Sequence, residues 1–96
     1  MMVVVSYDVS TVDAKGRKRL RKVAQACLDY GLRVQNSVFE CNVDPARWES
    51  LKARLLSLYN VDQDSLRFYF LGANWKRRVE HYGKGEIRDI EDTMII

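Results

Sequence analysis

The chain predicts an α+β domain in which two helices cover one face of an antiparallel sheet. Three observations predict it. Hydrophobic runs of strand and helix type alternate as β-α-β-β-α-β; each helix carries a single apolar stripe; and the length of 96 residues fits one domain with a modest core. This element order is the ferredoxin-like split βαβ, a two-layer sandwich whose second sheet face has no helix to cover it. An apolar sheet face left in water invites a second copy, so a homodimer is expected.

Met2 to Tyr7 is a nearly continuous β-branched run, as a central strand requires, and Asp8 stands at its C-terminal end. Ser10, Thr11 and Asp13 are the choices of N-cap for the first helix, read over Asp13 to Tyr30. Its stripe is Leu20, Val23, Ala24, Cys27 and Leu28, and Gly31 falls at the C′ position that ends it. Two short strands follow around the turn Gln35-Asn36-Ser37, with Phe39, Cys41 and Val43 alternating against Glu40 and Asn42. Asp44 as N-cap and Pro45 at the first position open the second helix, with Val43 placed to staple onto Trp48. Trp48, Leu51, Leu55 and Leu58 form its inner face, and Asn60 stops it. Leu66 to Leu71 is a fourth strand, broken by Gly72, with Phe68 and Phe70 on one face and Tyr69 on the other. The core thus runs over about residues 2–72. Residues 73–96 form a C-terminal extension in which Arg78 to Tyr82 reads as an extra strand. The apolar end Thr93-Met94-Ile95-Ile96 is expected to dock on its own body or on a partner.

Charge is distributed unevenly. Lys15, Arg17, Lys18, Arg19, Arg21 and Lys22 crowd the start of the first helix, where the unpaired amides already carry partial positive charge. A multiply charged anion bound nearby would account for this, although a solvated helix face reads equally well from the cluster alone. Asp8, close by in sequence, is then a candidate metal ligand, because Mg²⁺ takes oxygen ligands and bridges carboxylate to phosphate. Lys76, Arg77 and Arg78 make a second basic patch. Cys27 and Cys41 lack metal-binding spacing and read as buried small hydrophobes. The single histidine, His81, excludes a two-histidine acid–base pair within one chain. No stretch is long and apolar enough to span a membrane and the N-terminus lacks a signal-peptide layout, so a cytoplasmic protein is expected.

The residues Val5-Ser6-Tyr7-Asp8, Lys18-Arg19-Leu20-Arg21-Lys22-Val23, Arg33 through Cys41 (RVQNSVFEC) and Ser65 through Leu71 (SLRFYFL) resemble the small CRISPR-associated protein two family, across most of residues 2–82. The resemblance implies a ferredoxin-like homodimer whose sheets face each other, with a C-terminal strand reaching across to the partner. It implies a Mg²⁺-dependent endonuclease of spacer acquisition, acting on RNA or DNA beside a spacer integrase subunit. The family's metal-site aspartate falls on Asp8. For the phosphate backbone we assign Arg17, Arg19, Arg33 and Ser37; Phe39 and Tyr7 are assigned to core or dimer packing. No residue is identifiable as a general base. Competing readings are a non-catalytic scaffold that clamps duplex DNA and bridges integrase subunits, a toxin-like messenger ribonuclease, and an RNA-binding module that would need aromatics on its open sheet face.

Overall fold

The elements follow one another as β1 (Met2–Asp8), α1 (Ala14–Leu28), β2 (Gly31–Gln35), β3 (Val38–Asn42), α2 (Pro45–Leu58), β4 (Ser65–Leu71) and β5 (Val79–Gly83). They come from a computed structural model that describes residues 1–72 and 79–84. The strands form one sheet in the order β2-β3-β1-β4-β5, and every neighbouring pair is antiparallel.

Alternation along the central strand divides the two faces. Val3, Val5 and Tyr7 point inward beside Phe39 and Cys41 of β3 and Leu66, Phe68 and Phe70 of β4, and all of them are buried. Val23, Ala24, Ala26 and Cys27 of α1 and Trp48, Leu51 and Leu55 of α2 close over this face. Burying each large apolar side chain contributes about 1.5–3 kcal/mol. Trp48 adds edge-on ring contacts to Phe68 and Phe70, at centroid distances of 4.8 and 5.4 Å. Among the described residues no helix covers the other face. Across it, strand pairing lines up Leu32, Glu40, Val4, Tyr69 and Val79 in one row that is mostly apolar.

Both helix starts follow their sequence signals. Asp13 caps α1 by accepting from the Gly16 amide at 2.8 Å, and Asp44 caps α2 by accepting from the Arg47 amide at 2.7 Å. Asn60 marks the turn after α2, its side chain accepting from the amides of Asp62 and Gln63. The fifth strand also forms. It lies along β4, with Tyr82 against Phe68 and Glu80 paired to Lys52 of α2 at 2.9 Å.

Two expectations about α1 need correction. Leu28 is 43% exposed, because the next inward position after Cys27 is taken by Tyr30, which packs on the core; Ala26 joins the buried face instead. Gly31 is not a left-handed C′ residue: the helix caps on Asp29, and Gly31 opens β2. Glycine is required there because β3 comes too close, and a Cβ would collide with the backbone of Glu40 and Cys41. The basic patch at Lys76 to Arg78 and the apolar end at Thr93 to Ile96 lie outside the described residues.

Candidate active site at the end of the first strand

Asp8 is the last residue of β1, and the alternation that turns Tyr7 inward turns Asp8 outward, where it is exposed. Pairing sets it opposite Ser65 of β4, which in turn lies opposite Gly83 of β5. One pleat further along, Arg67 lies between Ser6 and His81. The three strand ends and the loops beside them enclose a cleft of about 440 Å³, lined by Asp8, Val9, Ser10, Gln63, Ser65, Arg67, His81 and Lys84. Its charge is one carboxylate facing a guanidinium and an ammonium.

Hydrogen bonds fix the imidazole in this cleft. His81 Nε2 lies 3.1 Å from the Lys84 carbonyl, which only accepts, so Nε2 carries the proton. Nδ1 then accepts from Arg67, whose Nε and Nη2 lie 3.4 and 3.3 Å away. With both nitrogens engaged, His81 is a structural partner of Arg67 rather than a free base.

Behind the cleft, on the covered side of the sheet, lies the one charged side chain among the described residues that is fully buried. Asp64 accepts from the Tyr7 hydroxyl, from Arg19 Nε at 2.9 Å and Nη2 at 3.1 Å, and from the Asn60 amide at 2.9 Å. Burial pushes its carboxyl up, but these donors outweigh burial and hold it below the usual carboxylate range. The Tyr7 hydroxyl moves the other way, raised by burial and then by the adjoining carboxylate.

The residues assigned from sequence are scattered by the fold. Ser37 lies in the β2–β3 turn, and its carbonyl accepts from the Tyr7 amide at 2.9 Å, so it is beside the end of β1 that carries Asp8. Arg17 is exposed and bonds the carbonyls of Thr11 and Val12, tying down the loop before α1. Arg19, the second residue assigned to the phosphate backbone, is half-buried and turned inward onto Asp64. Arg33 is on the edge strand over the Phe39 ring at 5.3 Å, on the helix-covered side and so on the opposite sheet face from Asp8. Phe39 and Tyr7 are core residues of the protomer. Lys15, Lys18, Arg21 and Lys22 are exposed along α1.

Sequence reasoning missed Asp64, Arg67 and Lys84. The first had a signal: counting back by twos from Phe70 through Phe68 and Leu66 arrives at an inward-facing Asp64. The same count gives Arg67 the face of Tyr69. Lys84 had none, since its place depends on the turn at Gly83, where φ is +96° and a Cβ would strike the Asp64 carbonyl.

A divalent cation would find one hard ligand here in Asp8, with Ser10 and Ser65 hydroxyls nearby. Among the described residues no group of three or more His, Cys, Asp or Glu side chains comes together to hold a metal. Among the described residues the cleft offers a single carboxylate. No helix among the described residues is long and apolar enough to cross a membrane.

Fold and site together define a small two-layer α+β domain that presents one exposed acid in an otherwise cationic cleft at the edge of an open sheet. The chain belongs to the family described as CRISPR associated protein Cas2, whose model matches residues 1–79. It is 57% identical over 96 residues to a protein of Chlorobaculum tepidum named CRISPR-associated endoribonuclease Cas2, covering 100% of both chains. Over 95 residues it is 55% identical to one of Halalkalibacterium halodurans named CRISPR-associated endonuclease Cas2, covering 99% of each. The crystal structure of Streptococcus pyogenes Cas2 at pH 6.5 superposes with a TM-score of 0.73 at 59% identity, covering 86% of this chain and 100% of that one.

Proposed function

We propose that this protein is a Mg²⁺-dependent endonuclease of CRISPR spacer acquisition, cutting RNA or DNA phosphodiesters as a ferredoxin-like homodimer in the cytoplasm. The observation that carries the reading is the exposed Asp8 carboxylate facing Arg67 and Lys84 across the cleft. The cations attract a phosphodiester, and the carboxylate is the group that keeps a divalent ion beside it. Mg²⁺ held there would supply charge against the phosphate. The names of the relatives, endoribonuclease and endonuclease, support hydrolysis of nucleic acid.

A homodimer answers two features at once. Among the described residues no helix covers the row Leu32, Val4, Tyr69 and Val79, and only one carboxylate lines the cleft. Two open faces brought together about a two-fold axis would cover the row and bring two Asp8 side chains to one ion.

A second reading has its own observation. Lys15, Lys18, Arg21 and Lys22 lie exposed on α1, away from the open sheet face, so the protein would serve as a scaffold that holds duplex DNA and bridges spacer integrase subunits with Asp8 idle. An RNA-recognition module is disfavoured, because Phe68 and Phe70 are buried beneath α2 rather than displayed for stacking.

The test is cleavage of labelled single-stranded RNA and duplex DNA, with Mg²⁺ or EDTA, beside Asp8→Asn purified identically. Metal-dependent cutting lost in the variant supports the nuclease. Salt-sensitive duplex binding with no cutting by either protein sinks it in favour of the scaffold.

A further inference from the structure

The Asp64 side chain is not part of the cleft lining, yet several of the segments around the cleft are tied to this residue. Its side chain holds Tyr7, the residue before Asp8, and the start of the turn at Asn60. Its backbone amide donates to the Asn60 carbonyl at 2.8 Å, and its carbonyl accepts from the Lys84 amide at 2.7 Å. Ser65, its chain neighbour, is the residue paired with Asp8. Arg19 closes the node from α1 with two bonds to the carboxylate and a third to Gln63, itself a cleft residue. Thus β1, α1 and the loop after α2 meet at one buried carboxylate, while the start of β4 and the residue after β5 join it through the backbone of Asp64.

Stability alone is a poor reason for such an arrangement. Taking a carboxylate out of water is costly, and well-packed apolar side chains in place of a buried ion pair are often as stable or more so. What a carboxylate supplies that a leucine does not is direction. It fixes the hydroxyl of Tyr7, the guanidinium of Arg19 and the amide of Asn60 at set angles and distances.

We propose that Asp64 is a positioning residue for the cleft, fixing the carboxylate of Asp8 relative to Ser65 and Lys84 through Tyr7 and its own backbone. This rests on the nuclease reading only for its effect on cleavage; the geometric effect stands apart from it. Arg19 belongs to the same device, which gives a cation of the basic helix a role that does not involve touching nucleic acid.

Two conservative variants test it. Asp64→Asn keeps the shape and removes the charge, and Tyr7→Phe removes a single hydroxyl. Val43→Ala, a core change at the opposite end of β1 from the node, serves as a destabilised control. The first measurement is the amide ¹H–¹⁵N spectrum, which needs neither metal nor substrate. Resonances of Asp8, Ser65 and Lys84 are expected to move in both variants, while those of Leu32 in β2 and Glu40 in β3 stay in place. The second is cleavage, where turnover is expected to fall about tenfold or more in both variants with KM for RNA within about twofold of the parent. Unmoved resonances at the three cleft residues overturn the proposal whether or not the protein cuts. So does a turnover loss no larger than that of Val43→Ala. If the parent protein does not cut at all, the nuclease reading falls, and the spectra alone decide the role of Asp64.

Discussion

Asp8 and Asp64 lie back to back at one corner of the sheet, one residue out of step across the β1–β4 ladder, and differ in almost every physical respect. Asp64 is 0% exposed and accepts four hydrogen bonds from three partners. Asp8 is exposed in a cleft lined by cations. A carboxylate whose lone pairs are all engaged organises its surroundings. One whose lone pairs are open to solvent is available to a cation. The sequence shows two aspartates near strand ends, and only the pleat decides which is which.

The sharpest way to break this contrast is to neutralise each acid without changing its shape. Asp8→Asn is expected to lower metal-dependent cleavage on the order of 100-fold or more, equivalent to about 2.7 kcal/mol of transition-state stabilisation. Its urea midpoint should stay within the range of an ordinary surface change, about 0.5 kcal/mol. A variant that unfolds more easily in step with its lost activity would erase the distinction between the two acids.

Asp64→Ala should show the opposite profile. It leaves Tyr7, Arg19 and the Asn60 amide without their acceptor and opens a void in the node. A loss of about 3 kcal/mol in urea unfolding is expected, in the range of a broken buried pair. A loss under about 1 kcal/mol would mean that water replaces the carboxylate freely and that the node is not the rigid element described above.

Acid and base should act on the node in opposite directions. The Asp64 carboxyl is held below its usual range, so the unfolded chain takes up the proton first as the pH falls. Its contribution is present above about pH 4 and drains away below. The Tyr7 hydroxyl is held above its usual value, so the unfolded chain loses the proton first, and that contribution fades as the pH climbs past about 10. Urea midpoints measured across pH should therefore form a plateau with a falling limb at each end. Asp64→Asn should make the acid limb shallower, and Tyr7→Phe the alkaline one. Limbs unchanged in both variants would show that other groups set the pH range.

The comparison also explains what the sequence could convey. Strands and helices were legible because each has one buried face: Val3, Val5 and Tyr7 alternate, while Trp48, Leu51 and Leu55 recur at helical spacing. Asp8 was legible through its position after the central strand and through the family resemblance. The pairing of Arg19 was not legible because every cation of Lys15 to Lys22 looks alike until a partner is known, and its partner is 45 residues away. Asp64 sits in the polar stretch Asn60-Val61-Asp62-Gln63-Asp64, and only the alternation of β4 carried back through Leu66 singles it out there. Gly31 was misread because a close approach to β3 is a tertiary fact, whereas a C′ glycine is a local one.

A third aspartate supplies the control for the other two. Asp29 binds Arg54 at 2.8 Å, nearly the same as the 2.9 Å between Asp64 and Arg19 Nε, but its side chain is 44% exposed and that of Arg54 is 42% exposed. Its carboxyl is held down first by Arg54 and then by Gln25, so the charge is comfortable there. Water screens the pair, and either group left alone is solvated at once, which is why pairs of this kind contribute little. Arg54→Ala should therefore leave the urea midpoint unchanged within error and make it no less sensitive to salt. Arg19→Ala should lower the midpoint clearly, because Asp64 is left buried without its cation. Equal effects from the two substitutions would show that distance, not burial, sets the strength of an ion pair in this fold, and the contrast between the exposed and buried acids would lose its physical basis.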